Sequence, residues 1–133
     1  MIVDSSAVIA VLMREPGWRT FAEELDGAPV TRISAANYFE LGLVLDKWRN
    51  PVLSQQLDEL IDRFDIQIEP VTAEQARIAR QAYRDYGRGS GHAARLNFGD
   101  CFSYALAREM REPILFKGTD FAETDLRPAI SRA

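Results

Sequence analysis

Residues 2–7 read Ile-Val-Asp-Ser-Ser-Ala, and this short stretch introduces the pattern that the rest of the chain repeats. Its apolar start predicts a buried strand of a few residues. Asp4, Ser5 and Ser6 follow at once, and such side chains cap the start of a helix, here one that runs to Met13. The stretch therefore predicts a strand and a helix with a carboxylate where they meet.

The same alternation of strands and helices continues along the sequence. Apolar residues three and four positions apart predict helices, and short apolar or alternating runs predict strands. The predicted helices cover residues 18–27, 35–49, 51–64, 72–86 and 99–110, the predicted strands cover 29–31, 66–71, 113–116 and 128–131, and a glycine-rich loop covers 87–98. Such alternation favours an α/β fold with a parallel sheet covered on both faces. We expect one domain spanning 1–133.

Composition excludes several classes of protein. The 133 residues are 47% hydrophobic and 27% charged, which is an ordinary globular balance and argues against wholesale disorder. A single cysteine, Cys101, and a single histidine, His92, exclude a disulfide framework and a zinc site built from several cysteines or histidines. The net charge of −4 argues against a protein that holds nucleic acid by a bulk positive field, although it allows a basic rim around an acidic centre. With no basic leader and no long apolar run, a cytoplasmic protein is expected.

Four acidic residues occupy positions that can converge. Asp4 follows the first strand, Asp120 follows the strand at 113–116, and Asp100 is expected to cap a helix behind a glycine. Each of these three, taken alone, is explained as a cap or turn residue. Glu40 is different, because it lies in mid-helix among apolar neighbours, where a carboxylate needs a partner or a metal. In a parallel sheet, ligands bind at the carboxyl ends of the strands, so the four acids can share one pocket there.

Carboxylates that share a pocket repel one another, and a hard divalent cation removes that conflict. Oxygen ligands favour Mg²⁺ or Mn²⁺ over zinc. Such a centre can activate water and stabilise a phosphoryl transition state. The sequence therefore predicts phosphodiester chemistry that depends on a metal.

Four stretches of the chain resemble the PIN-domain ribonucleases of the VapC toxin type. They are residues 2–7 (IVDSSA), 34–40 (SAANYFE), 96–107 (LNFGDCFSYALA) and 115–121 (LFKGTDF), in the order and spacing of that family. The resemblance implies an α/β/α sandwich on a parallel five-stranded sheet and an endoribonuclease that a co-expressed VapB-type antitoxin silences. It also implies that Asp4, Glu40, Asp100 and Asp120 hold Mg²⁺ or Mn²⁺, and that Ser6 and Thr119 support them.

Basic and aromatic residues supply candidate contacts for RNA and for a partner. Residues near the predicted acidic site could touch the phosphates of RNA, and the candidates are Arg88, His92, Arg95 and Lys117. The spacing of Trp18, Phe21 and Leu25 is typical of core residues, but the family resemblance makes them candidate antitoxin contacts in the N-terminal half. A homodimer and a larger toxin–antitoxin assembly are also implied.

Three other functions remain open on the sequence. A PIN nuclease can serve in RNA maturation rather than as a toxin. A receiver-type signalling domain also places acids around Mg²⁺, but it normally has an acidic pair after its first strand, whereas Asp4 is followed by two serines. A catalytically inactive interaction module would not require all four acids.

Overall fold

The computed structural model describes residues 1–130 and shows a four-stranded sheet with helices packed on both faces. The strands are β1 (Ile2–Val3), β2 (Thr31–Ser34), β3 (Ile66–Glu69) and β4 (Ile114–Leu115). The helices are α1 (Ser5–Leu12), α2 (Trp18–Gly27), α3 (Ala35–Asp46), α4 (Pro51–Arg63), α5 (Ala73–Tyr86) and α6 (Phe98–Met110), and a 3-10 turn follows at Phe121–Glu123. The predicted α/β fold is confirmed.

The sheet is parallel, and its strand order is β3-β2-β1-β4. β1 is an inner strand, in which Ile2 pairs with both Arg32 and Ile114. Successive side chains of a strand point to opposite faces, so Ile2 packs in the core beside α5 and α6. Val3 packs instead in the core formed with α1, α2, α3 and α4. The sheet is thus the middle layer of three, as expected.

The predicted fifth strand is reduced to a single bridge. Ile114 pairs in parallel with Pro128 outside the named strands, and the Ala129 N–H donates to the Ile114 carbonyl at 2.8 Å. The Ile114 N–H donates in turn to the Arg127 carbonyl at 3.0 Å, so the bridge has both of its hydrogen bonds and neither uses the nitrogen of Pro128. Ser131, the last residue of the predicted strand 128–131, lies outside the described residues.

Two other strand boundaries differ from prediction, and in both cases a proline explains the difference. The strand predicted at 29–31 begins only at Thr31, after Pro29, and continues through the buried Ile33 to Ser34. The strand predicted at 66–71 ends at Glu69, directly before Pro70. Proline lacks the backbone N–H that a strand donates to its neighbour. For this reason β2 begins after Pro29 and β3 ends before Pro70.

Several helix boundaries also differ from prediction, most of them by one residue. The helix predicted to reach 49 ends at Asp46, and Arg49 adopts a left-handed backbone with φ of 54°. The helix predicted to start at 99 begins at Phe98, because Asn97 rather than Asp100 caps it. Over residues 1–130, no helix combines the length and the apolar character needed to cross a membrane.

Candidate active site

Asp4 lies at the carboxyl end of β1 and is only 5% exposed. It caps α1 by accepting the Ser6 N–H at Oδ2, at 3.0 Å. Its other oxygen, Oδ1, accepts a hydrogen bond from the Ser103 hydroxyl at 2.5 Å. A buried carboxylate is stable only with such donors. The two hydrogen bonds therefore fix the orientation of the Asp4 carboxylate at the base of the site.

Asn37 and Ser103 form a buried polar layer behind Asp4, and the sequence analysis did not identify them as site residues. Both are almost completely buried. Asn37 Nδ2 donates to the Gly99 carbonyl at 2.9 Å, and the Asn37 carbonyl accepts from the Ser5 hydroxyl at 3.2 Å. Ser103 Oγ also lies 3.0 Å from Asn37 Oδ1. A hydroxyl has one proton, so the shorter contact to the charged Asp4 oxygen takes it.

Asp100 lies in the first turn of α6, close to the end of β1. Its side chain and that of Asn97 form a capping box, in which Asp100 Oδ2 accepts the Asn97 N–H at 3.0 Å. Burial raises the pKa of Asp100 to about 6, the Asn97 hydrogen bond opposes the rise, and the charges of Asp4, Asp120 and Glu40 add to it. The other three predicted acids are therefore close enough to Asp100 for their charges to affect its ionisation.

Glu40 reaches this environment from α3 across the small residue Gly99. A Cβ atom on Gly99 would lie 2.3 Å from Glu40 Oε2 and 2.6 Å from Oε1, so only glycine leaves room for this carboxylate. Burial, and next the charge of Asp4, raise the pKa of Glu40, whereas hydrogen bonds with Asn37 and Ser5 lower it. The prediction that Glu40 faces inward from mid-helix agrees with this geometry.

Asp120 and Thr119 lie on an exposed loop after β4. The loop turns at Gly118, whose φ of 103° is a conformation that favours glycine. Ser6 holds the start of this loop, because its hydroxyl accepts the Lys117 N–H at 3.0 Å. Ser6 thus connects Asp4, through its N–H, with the loop that carries Asp120.

The four acids, here called the acid cluster, are brought to the same end of the sheet. Within residues 1–130, however, no three Asp, Glu, His or Cys side chains are already grouped as a complete set of metal ligands. The donor chemistry fits a hard cation, since the cluster offers carboxylate oxygens in a partly buried, negatively charged setting. The structure therefore shows that the charges of the four acids affect one another, but it does not show them arranged as a complete set of metal ligands.

The four candidate RNA contacts fall into two groups. Arg88 and Arg95 are exposed, and neither side chain forms an ion pair in the described part of the chain. His92 is half-buried, accepts the Ala94 N–H at Nδ1 at 3.0 Å, and packs edge-on against Tyr86. Lys117 pairs with Glu15 at 3.2 Å. The structure therefore leaves the two arginines available and gives His92 and Lys117 partners within the protein.

The candidate antitoxin contacts on α2 are mostly core residues. Phe21 is 9% exposed and Leu25 is 2% exposed, and both pack in the core with Val3. Trp18 is half-buried, with Arg14 and Arg19 over its ring. Phe21 and Leu25 therefore present little surface to a partner, because the apolar side of α2 packs into the core beside α1.

Exposed apolar residues lie instead on α3, in the turn that follows it and at the start of α4. Four of them, here called the apolar strip, are Phe39, Leu43, Trp48 and Val52, which are 62%, 60%, 68% and 59% exposed. The sequence contained a signal for it, since the apolar residues of the helix predicted at 35–49 cover more than one face. Exposed apolar patches of this kind mark interaction sites.

Comparisons with known proteins show which family the chain belongs to. Residues 1–126 match the family described as PIN domain. Ribonuclease VapC28 of Mycobacterium tuberculosis is 56% identical over 132 residues, which make up 99% of each chain. Ribonuclease VapC42 of the same species is 53% identical over 129 residues, or 97% of this chain and 98% of the relative. A toxin–antitoxin complex from Klebsiella pneumoniae shares the fold at a TM-score of 0.68 and 19% identity, covering 91% of this chain and 89% of that one. The chain belongs to the PIN domain family and, within it, to the VapC ribonucleases.

Proposed function

We propose that the chain is a divalent-metal-dependent endoribonuclease and the toxin of a VapBC-type toxin–antitoxin pair. The observation that carries the proposal is the position of the acid cluster at one end of a parallel sheet. Burial is the main cause of the raised pKa of Asp100, and the charges of Asp4, Asp120 and Glu40 add to it. Relatives more than half identical over nearly the whole chain are named VapC ribonucleases, which supports RNA as the substrate. RNA as substrate places the proposed action in the cytoplasm.

Mg²⁺ or Mn²⁺ is the proposed cofactor, and the acid cluster would hold it. When bound, a hard divalent cation neutralises the carboxylates, favours activation of water and stabilises charge on the phosphoryl group in the transition state. No histidine or lysine base is needed for this chemistry. The carboxylates would move towards the ion as it binds, since the described residues contain no complete set of metal ligands.

The chain's own residues fix the carboxylates that would hold the ion. The Ser6 N–H and the Ser103 hydroxyl each bind one oxygen of Asp4, which keeps that carboxylate oriented. The Asn97 N–H binds one oxygen of Asp100, so the other oxygen remains for a cation. Gly99 admits the Glu40 carboxylate next to them. These contacts hold the site in place before RNA arrives.

The cation requirement provides a direct test. We expect purified, partner-free protein to cut single-stranded RNA with Mg²⁺ or Mn²⁺ and to lose all cutting in EDTA. Ca²⁺ should compete for the site without supporting turnover, because it prefers longer bonds and a looser geometry. The measurement is RNA cleavage on denaturing gels with each ion and with Ca²⁺ titrated against Mg²⁺. Full activity in EDTA would refute the proposed metal dependence.

The apolar strip is the proposed contact for the antitoxin. An amphipathic segment of a partner can cover such a strip, and the family to which the chain belongs acts with an antitoxin partner. The strip replaces Phe21 and Leu25 as the leading candidate because its four side chains are exposed. The apolar strip could instead be the contact between two copies of the toxin in a homodimer. The experiment below distinguishes an antitoxin contact from a toxin–toxin contact.

Leu43→Glu should prevent capture by the antitoxin while leaving RNA cleavage intact. A charge in a buried apolar contact is costly, and Leu43 is 60% exposed in the chain alone, so the fold should tolerate the change. The measurement is co-purification with a co-expressed VapB-type antitoxin, together with sedimentation of the toxin alone. Val71→Glu, at another exposed apolar residue, is the control. Normal co-purification, or a change confined to self-association, would contradict the assignment.

A further inference from the structure

A groove between α5 and α6 combines basic and aromatic side chains. Its volume is about 760 Å³, within the range of about 300–1,000 Å³ typical of ligand sites. Arg80, Arg84 and Arg88 line it, together with Tyr83, Phe98 and Phe102. We call this feature the arginine groove. Its lining contains three positive charges and no acid, although the whole chain carries −4.

The three arginines have few partners of their own. None of them forms an ion pair within residues 1–130, and Arg84 donates only to the side-chain oxygen of the neutral Gln81. Arg77, on the same helix, pairs instead with Glu74 at 3.3 Å and does not line the groove. The positive charge of the groove is therefore available to an anionic ligand.

Phe98 supplies an exposed aromatic face beside this charge. The side chain is 78% exposed, the largest exposure among the large apolar residues of the described chain. Its ring meets the Phe102 ring edge-on, with centroids 4.9 Å apart, so the ring is supported rather than loose. Tyr83, which is 45% exposed, lies in the same lining. Aromatic faces next to arginines are the elements of single-strand nucleic acid binding.

The groove also begins at the acid cluster. Asn97 lines it, and the Asn97 N–H donates to the Asp100 carboxylate at 3.0 Å. Phe98 is two residues from Asp100 on the first turn of α6. A strand lying in the groove therefore leads directly to the acidic site.

We infer that the arginine groove is a subsite for single-stranded RNA, in which Phe98 stacks on a nucleobase and Arg80, Arg84 and Arg88 bind the neighbouring phosphates. The inference rests on the proposed ribonuclease function and adds a path for the substrate to it. Charge complementarity favours RNA over a second copy of this acidic chain. Stacking is tolerant of sequence, so this subsite positions RNA rather than selecting one base.

Binding of a labelled oligouridine tests the inference without cleavage. The probe is fluorescein-labelled oligouridine of about 12 nucleotides, within the usual site size of single-strand binding grooves, and anisotropy is measured in EDTA. We expect Phe98→Ala to weaken binding by about 5- to 100-fold, as removal of one stacking contact does. Phe98→Trp should keep the affinity, and its fluorescence should be quenched as RNA binds. Val71→Ala, at an exposed apolar residue outside both the groove and the apolar strip, should bind normally.

A matched pair of arginine variants tests the phosphate contacts. Each phosphate contact on a single strand contributes about −0.7 to the slope of log affinity against log salt. Arg84→Ala should therefore flatten that slope by about 0.7, whereas Arg77→Ala on the same helix should leave it unchanged. The readout is the same anisotropy assay over a salt series.

Several outcomes would overturn the inference. It fails if the wild type does not bind oligouridine, if Phe98→Ala binds like the wild type, or if the two arginine variants behave alike. It also fails if sedimentation shows that Phe98→Ala changes self-association and leaves RNA affinity unchanged, since the groove would then be an interface between copies. Cleavage assays run in parallel separate this from the ribonuclease proposal. Normal cleavage with unaltered Phe98→Ala binding removes only the subsite, and RNA binding without any cleavage removes only the nuclease.

Discussion

Asp100→Asn is expected to lower RNA cleavage by about 100-fold or more while the protein stays folded. The change removes one ligand charge and keeps nearly the same volume, and a metal centre contributes several kcal/mol to such a reaction. Asp4→Asn should have a similar effect, since the Ser103 hydroxyl and the Ser6 N–H hold its carboxylate in the same place. Cleavage by purified, partner-free protein is the measurement.

Thermal unfolding separates lost chemistry from lost structure in these variants. Burial, and after it the charges of the neighbouring acids, oppose ionisation of Asp100, so Asp100→Asn should unfold at the same or a higher temperature when no divalent ion is present. Asp58→Asn, which removes an exposed acid on α4, is the matched control and should leave both cleavage and unfolding unchanged. Cleavage by Asp100→Asn within about threefold of the wild type would contradict the assignment of the acid cluster, because the contribution of a metal centre is much larger.

Gly99→Ala should lower RNA cleavage by about 10- to 100-fold with little change in stability. The added Cβ would lie 2.3 Å from Glu40 Oε2, and the movable end of the Glu40 side chain must give way. A displacement of about 1 Å at a catalytic group can cost about 100-fold in rate. The fold itself should tolerate the change, since alanine is favoured over glycine in a helix by about 0.5–1 kcal/mol. Steady-state cleavage and urea unfolding are the two measurements.

Two further variants make the Gly99→Ala result specific. Gly42→Ala also adds a methyl group to a helix, but its Cβ meets only Asp46 Oδ2 at 3.8 Å, so cleavage should be unaffected. Glu40→Asp shortens the side chain that Gly99→Ala displaces. The double variant should therefore be no less active than Glu40→Asp alone, a coupling expected only of residues in contact. Additive losses, or full activity of Gly99→Ala, would show that this glycine has no role in placing Glu40.

The sequence indicated the four acids, and the family resemblance indicated Ser6, but neither indicated Asn37 and Ser103, which lie behind Asp4. Asp4 and Asp120 follow strands, and Glu40 is a carboxylate on an apolar helix face, so general rules about parallel sheets and burial lead to them. Asn37 and Ser103 are ordinary polar residues until two helices come together. Helical spacing did contain a signal, because Asn37 is three residues before Glu40 and Ser103 is three residues after Asp100, each on the same helix face.

The fold shows a similar division. Alternating strands and helices were readable, and prolines shifted the ends of two strands because the loss of one backbone donor outweighs local β-propensity. For Phe21 and Leu25 on α2, the sequence predicted the helix correctly but not what covers its apolar face. An amphipathic pattern reports that one helix face is apolar, but whether the sheet or a partner covers it depends on tertiary packing, which places these two residues in the core.

The inner position of β1 has a consequence for synthesis of the chain. β1 is made first, yet its partner on one side, β4, is made last, since Ile2 pairs with Ile114 and Val3 with Leu115. Contacts between such distant residues form late and slowly in folding. The strand that carries Asp4 at its end therefore gains its second neighbour only after α1 to α6 have been made. Because Asp120 follows β4, the acid cluster is likewise complete only after that strand has been made.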